Sequence, residues 1–431
     1  FLISKKVIDC RLVIHGYPST TAQPMGSRPH GRLAADSIFN GGCMYNVLGL
    51  LGRAFPVEER YDLWRLATFM PNKGLPVHRW FYFKEGFSRE LVLMLLKELG
   101  AREGEVVLDP FVGSGTTPLA CMEAGYRGVG VDASPLAVFV SYGKTRIYDP
   151  EELSDALNRC LAAGAPKVAP EGLSSLVMKA FPRANLLELL SLKEVIESME
   201  PSDARTFLLM ALICASNRAS YIYREGGVLK LVRRPVPPLR LCFRRTARAM
   251  IDDLRKMSYK SEPATIVLGD ARQLDMIEDG SVDHIITSPP YLNKIEYTQV
   301  YAVELELFFG KKTGDLVRSY IGLTAKRPPM PIPGREGLPD SALLYFRDME
   351  ASLREMLRVL RPGGKAAIVV AGGVYPEIVV ESDTVLAEIA SEVGFEVEKI
   401  RVVGKRVATS GRTRRIGAAR ESILYLRKPD G

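Results

Sequence analysis

The run Ser281-Val-Asp-His-Ile-Ile-Thr287-Ser288-Pro289-Pro290-Tyr291 places a rigid polar turn directly after a short apolar stretch. Proline has no N–H and a fixed φ, so the carbonyls around Pro289 and Pro290 are held in place and left free to accept hydrogen bonds. Ser288 adds a hydroxyl and Tyr291 an aromatic face. Together they suit a planar ring bearing an amino group. The ring stacks on Tyr291 while Ser288 and a main-chain carbonyl accept the two amino hydrogens. The nitrogen lone pair, otherwise delocalised into the ring, is drawn toward tetrahedral geometry and can attack an activated methyl. The competing reading is a surface turn or a polyproline ligand for another domain. The apolar strand feeding the motif argues against a mobile ligand.

A second constellation is Glu105-Val-Val-Leu-Asp109-Pro110-Phe111-Val-Gly113-Ser-Gly115-Thr116-Thr117, a strand ending in a glycine turn at a helix start. Such a turn lets backbone N–H groups approach a ligand closely. A phosphate-binding P-loop would need Gly-Lys-Ser/Thr, and no Lys is present. A dinucleotide fingerprint needs a third glycine where Pro118 stands. An adenosine-type cofactor without a pyrophosphate is the remaining reading. Asp132 and Ala133 end the next strand, where an acid can hydrogen-bond a ribose diol. Asp270 and Ala271 follow Gly269 at the end of a third. One such Asp alone reads as a helix N-cap, whereas two behind glycine turns read as cofactor contacts.

The elements positioning these residues alternate from Glu105 onward. Strands are expected at Glu105–Leu108, Gly128–Val131, Thr265–Leu268, His284–Thr287 and Lys365–Ala371, with Phe395–Val403 and Ser422–Leu426 closing as an antiparallel pair. The pattern predicts an α/β fold, a doubly wound Rossmann-like sheet that is mostly parallel with one antiparallel strand near the edge. Residues 143–262 interrupt it with helical periodicity, far more than a crossover needs, and form a helical basic insertion. The expected division is a 1–60 extension, a 61–142 cofactor-binding part, the 143–262 insertion as candidate target-recognition segment, and a 263–431 catalytic part.

These motifs resemble the DNA amino-methyltransferases that modify cytosine N4 or adenine N6. Phe111, Gly113 and Gly115 match that family's Phe-x-Gly-x-Gly turn, which implies S-adenosyl-L-methionine as cofactor and the class I methyltransferase form of the fold. Ser288, Pro289, Pro290 and Tyr291 match its catalytic loop. Asp132 and Asp270 fall where the family places its ribose and adenine contacts. The segment His78-Arg-Trp80-Phe81-Tyr-Phe83-Lys-Glu-Gly-Phe87-Ser88 looks like its N-terminal cofactor segment, and Arg361-Pro-Gly-Gly364 fits the general pattern. The Thr-Ser-Pro-Pro-Tyr form resembles the cytosine-N4 members. The resemblance therefore implies transfer to cytosine N4 in DNA by direct displacement on a flipped-out base, within a restriction–modification pair whose endonuclease acts on the same site. The insertion does not lie where the family usually carries target recognition, which keeps an RNA base amino-methyltransferase open, and adenine N6 in DNA is the further alternative.

Bulk properties set limits. The net charge of +8 and pI of about 9.1 lean toward a polyanion, DNA rather than RNA on the motif's account. Arg233, Arg234, Arg244 and Arg245 in the insertion and Arg412, Arg414 and Arg415 in the last hairpin are the nucleic-acid-binding candidates. The six cysteines are scattered without Cys-x-x-Cys, so neither a disulfide framework nor a metal site is expected. No apolar stretch reaches about 18 residues, and no signal-peptide pattern opens the chain, so a cytoplasmic protein off the membrane is expected. Cytosine C5 chemistry would need a Pro-Cys nucleophile, which is absent from the sequence.

Overall fold

A computed structural model describes residues 45–48, 53–83, 86–164, 166, 168–225, 228–292, 297–311, 321, 337–375, 378–410 and 414–430. Two strands come first, β1 (Tyr45–Leu48) and β2 (Ala54–Glu59), then helix α1 (Arg89–Leu99). The alternating core follows with β3 (Val106–Asp109), α2 (Thr116–Ala124), β4 (Arg127–Asp132) and α3 (Pro135–Lys144). Four helices, α4 (Pro150–Ala162), α5 (Ser175–Ala180), α6 (Arg183–Glu197) and α7 (Asp203–Arg218), lead to a hairpin of β5 (Ile222–Glu225) and β6 (Val228–Leu231), then α8 (Leu239–Leu254). The sheet resumes with β7 (Thr265–Leu268) and β8 (Val282–Thr287), followed by α9 (Tyr297–Val300), α10 (Ala302–Phe309) and α11 (Asp340–Val359). The rest is β9 (Leu360–Ala371), the short pair β10 (Gly373–Val374) and β11 (Val379–Val380), α12 (Ser382–Val393), β12 (Glu396–Ser410) and β13 (Arg414–Arg427).

Local chemistry accounts for the framing. In α1 the apolar residues Leu91, Val92, Leu95, Leu96 and Leu99 fall on one face and are buried. Ser88 caps the N-terminus by accepting from the Leu91 N–H, and Gly100 ends the helix at φ 77°. All four residues of β3 are buried, as expected of a strand covered on both faces.

The main sheet has nine strands in the order β1-β2-β12-β13-β9-β8-β3-β4-β7. The run β9-β8-β3-β4-β7 is parallel throughout. The order reverses at β3 and β8, so the turns after these two strands open the crevice where such sheets bind ligands.

The sheet is more mixed than the one antiparallel strand expected. β13 runs antiparallel between β9 and β12, and β1 adds a second antiparallel strand at the outer edge. β2 pairs parallel with β12 through Val57, Glu58 and Glu59. Pro56 breaks the strand pattern in the sequence; it falls outside that ladder and stands opposite Asn46 of β1. Buried Phe55 and Val57 anchor β2 to the core shared by α11, α12 and the sheet.

The helices between β4 and β7 do not form a separate core. Residues of α4, α6, α7 and α8 share one buried cluster with Leu136 and Val140 of α3 and with Val303, Leu307 and Phe308 of α10. Asp253 near the end of α8, only 1% exposed, accepts from Arg79 Nε (2.9 Å) and Trp80 Nε1 (3.1 Å), tying this region to the segment before α1.

Candidate active site

The carboxyl ends of β3, β4, β7 and β8 surround a cavity of about 760 Å³, its open mouth included. Pro110, Phe111 and Gly113 come from the turn after β3, Asp132 and Ala133 from the end of β4, Asp270 and Ala271 from the turn after β7, and Ser288 and Pro290 from the loop after β8. Residues far apart in sequence thus share one wall. Asp109, Gly115 and Thr116 of the same motif stand behind the lining, and Pro289 and Tyr291 are not among the lining residues.

Gly113 has φ 50°, and a Cβ there would come within 3.2 Å of the Phe83 ring. Both the conformation and the close approach require glycine. Phe83 stacks on Tyr301, with centroids 5.5 Å apart and planes 4° apart, and both rings line the cavity. Gly115 is required for a different reason: at φ 77°, its Cβ would lie 2.9 Å from the Ser141 backbone.

The two acids of the turn serve different ends. Asp132 accepts hydrogen bonds from the N–H groups of Gly113 (2.9 Å) and Ser134 (2.8 Å) and keeps a place in the cavity wall. Burial pushes its carboxyl up to about 6, against the pull of these N–H groups. Asp109 is 2% exposed and fully engaged, accepting from Thr287 Oγ1 (2.6 Å), Thr117 Oγ1 (2.8 Å) and the Phe111 N–H (3.1 Å). Burial raises its carboxyl to about 6 as well. Asp270 is held by Arg272 of its own turn (Nε–Oδ1 2.9 Å), and Arg272 reaches on to Asp348 of α11.

Lys144, at the end of α3, is 1% exposed, and its Nζ donates to the carbonyls of His78 (2.9 Å) and Ser114 (3.0 Å). Burial lowers its pKa to about 7. It pins the glycine turn to the segment before α1. Tyr291 donates its hydroxyl to Glu421 Oε1 of β13 across 3.0 Å. On the other side Arg224 of the hairpin donates to the Val300 carbonyl (3.0 Å), pairs with buried Glu304 and lies 4.9 Å over the Tyr301 ring.

Several known proteins resemble this chain. The family described as DNA methylase covers residues 56–140, which include the glycine turn and Asp132. The type II methyltransferase M.BsoBI of Geobacillus stearothermophilus is 25% identical over 85% of this chain and 88% of its own length. M.AvaI of Nostoc sp., also a type II methyltransferase, is 24% identical over 85% of this chain and 89% of its own. The chain is similar to the amino-methyltransferases of DNA. A putative DNA modification methylase from Thermus thermophilus, solved with S-adenosyl-L-methionine, is 20% identical over 38% of this chain and 52% of that one, with a TM-score of 0.23.

The cofactor of the methyltransferase is S-adenosyl-L-methionine, and the cavity suits it. Among the described residues its wall holds aromatic rings and two carboxylates but no Lys or Arg, a set matched to adenosine and a sulfonium rather than to a phosphate. Of the basic candidates, Arg233, Arg234, Arg244, Arg245, Arg414 and Arg415 are exposed, while Arg412 lies outside the described residues. β12 runs parallel to β9, so the end of β12 and the start of β13 lie at the same edge of the sheet as the loop after β8. No helix among the described residues of the methyltransferase is long and apolar enough to cross a membrane.

Tyr301, Lys144, Glu421 and Asp253 escaped the sequence reading. Tyr301 sits in an apolar helical stretch like any core residue. A Lys near a helix end ordinarily reads as a solvated charge, which also helps a helix C-terminus.

Proposed function

We propose that the protein transfers a methyl group to the N4 amino group of cytosine in DNA. The observation that carries this reading is the convergence of Ser288 and Pro290 with Phe111, Gly113 and Asp132 on one cavity. On this reading the Ser288 hydroxyl is the acceptor for an amino group beside the cofactor turn. Asp132 and the Gly113 turn would hold S-adenosyl-L-methionine, which supplies a methyl activated by its sulfonium. Ser288 and a loop carbonyl would hold the amino hydrogens and Tyr291 would stack on the ring; as the nitrogen takes the methyl the S–CH3 bond breaks, leaving a neutral thioether, and one amino proton is released to solvent. The protein's own contribution is alignment and exclusion of water.

The target base reaches this recess only by leaving its stack, at a cost of a few kcal/mol. The exposed arginines of the insertion and of the last hairpin would hold the phosphates of such a distorted duplex. Type II relatives make DNA the favoured substrate, and a cognate endonuclease and a cytoplasmic location belong to the same reading. The Ser-Pro-Pro-Tyr form favours cytosine, and adenine N6 is the reading it competes with. The deciding experiment is methylation of DNA with labelled cofactor, followed by mass spectrometry of the nucleosides. N4-methylcytosine is the expected product; N6-methyladenine would replace the assignment, and label in RNA alone would overturn it.

A further inference from the structure

Beside the catalytic loop runs a second depression, enclosing about 1570 Å³ of open space. One wall is the turn after β2, with Tyr61 and Trp64; the other is the outer half of β12 and β13, with Lys405, Arg406 and Arg415. Trp64 is 59% exposed and Tyr61 40%, a costly placement for large rings on a surface with no ligand. By contrast Trp80, the chain's other tryptophan, is buried with its indole N–H bonded to Asp253.

Four bases and two acids line the groove. Arg420 is neutralised within the fold, where it donates to Asp383 Oδ1 (2.9 Å) and Thr384 Oγ1 (2.8 Å). Lys405, Arg406 and Arg415 line the outer part of the groove and are exposed. The acid Glu421 marks the inner end, where it accepts the Tyr291 hydroxyl. The groove begins where the catalytic tyrosine ends.

We propose that this groove binds a single-stranded segment of DNA, the nucleotides flanking the extruded target base, with Trp64 as the stacking platform. This rests on the reading of DNA as substrate. Extruding a base unstacks its neighbours, and exposed rings interleaved with cations are the chemistry that receives such a strand. The cations of β12 and β13 meet the phosphates, and Trp64 covers a base face freed from its partner.

The test uses a fluorescently labelled single-stranded DNA of mixed sequence and the matching RNA, with the full-length protein. Trp64→Ala should weaken DNA binding about tenfold. The triple variant Lys405→Gln/Arg406→Gln/Arg415→Gln should flatten the log–log salt slope by about two. Thermal midpoint and cofactor binding by calorimetry should match the wild type in both. Independently of any variant, the DNA should quench the exposed tryptophan emission of the unmodified protein. Unchanged DNA affinity in both variants, or no quenching, overturns the groove even if methyl transfer to DNA is normal. Groove-dependent binding of RNA but not DNA also overturns it. If wild-type protein methylates no DNA while the variants still lose strand binding, the groove stands and the substrate reading fails.

Discussion

The Thr287 hydroxyl donates to the Asp109 carboxylate across 2.6 Å, joining the end of β8 to the end of β3 beneath the cavity. The residue after Thr287 is Ser288, and the turn after Asp109 carries Phe111 and Gly113. One buried bond thus sets the loop after β8 against the turn after β3. Thr287→Val should cost about 1–3 kcal/mol of stability, the usual loss when a buried acceptor is deprived of its donor. It should also lower turnover more than cofactor affinity. Denaturant unfolding and single-turnover assays check both, and Thr287→Ser should restore them.

In the proposed mechanism Tyr291 stacks on the base, and its hydroxyl donates to Glu421. Tyr291→Phe keeps the ring, so turnover should stay within a few-fold of wild type. Tyr291→Ala should lose about 10–100-fold in turnover, the worth of one stacked base, while cofactor affinity is unchanged. Equal activity of the alanine and phenylalanine variants would remove stacking from the mechanism.

Asp132 titrates near 6 in the folded protein. Ribose hydroxyls bond best to the carboxylate, so cofactor affinity should fall below about pH 6, approaching tenfold per unit of pH. For stability the sign is opposite. The raised carboxyls of Asp132 and Asp109 make the folded chain bind more protons than the unfolded one between about 4 and 6. Their contribution to stability therefore declines as pH rises through that window. Calorimetric titrations at pH 5 and 7.5, with Asp132→Asn as control, separate the two effects; the variant should bind weakly at both.

Lys144 gives a third pH signature. Its folded pKa near 7 lies below the ordinary 10.5, so between these values the unfolded chain holds more protons than the folded one. The Lys144 contribution to stability should therefore rise with pH across that window, by at most about 1.4 kcal/mol per unit. The difference in unfolding free energy between wild type and Lys144→Met, measured from pH 7 to 9.5, should grow in favour of the wild type. A constant difference would mean that the amine titrates normally in its buried site.

Arg224 pairs with Glu304, whose side chain is 1% exposed. Arg224→Leu leaves that carboxylate buried without its cation, which should cost about 3–5 kcal/mol. Urea unfolding measures this, and Arg224→Leu with Glu304→Leu should recover most of it.

The parallel strands were legible because each is a short apolar run stopped by Gly, Asp or Pro, a signal carried by neighbouring residues. The convergence of the turn after β3 with the loop after β8 was legible through motif chemistry. What spacing does not show is which side of a turn a residue serves. Asp109 and Thr116 lie behind the wall that Phe111 and Gly113 form. β2 stayed hidden because Pro56 interrupts its pattern, and its partner β12 is more than 300 residues later. Lys144 and Tyr301 acquire their meaning from contacts with His78, Ser114 and Phe83, and no local pattern announces those.

The buried cluster joining α4–α8 to α3 and α10 bears on how this protein can be re-engineered. A recognition module on a linker can be exchanged between relatives like a cassette. Here a transplanted segment would have to reproduce the packing of Phe207 and Phe243 in the cluster they share with α3 and α10, and the Asp253 bonds to Arg79 and Trp80. Altered specificity is therefore better sought by changing exposed side chains in place than by grafting.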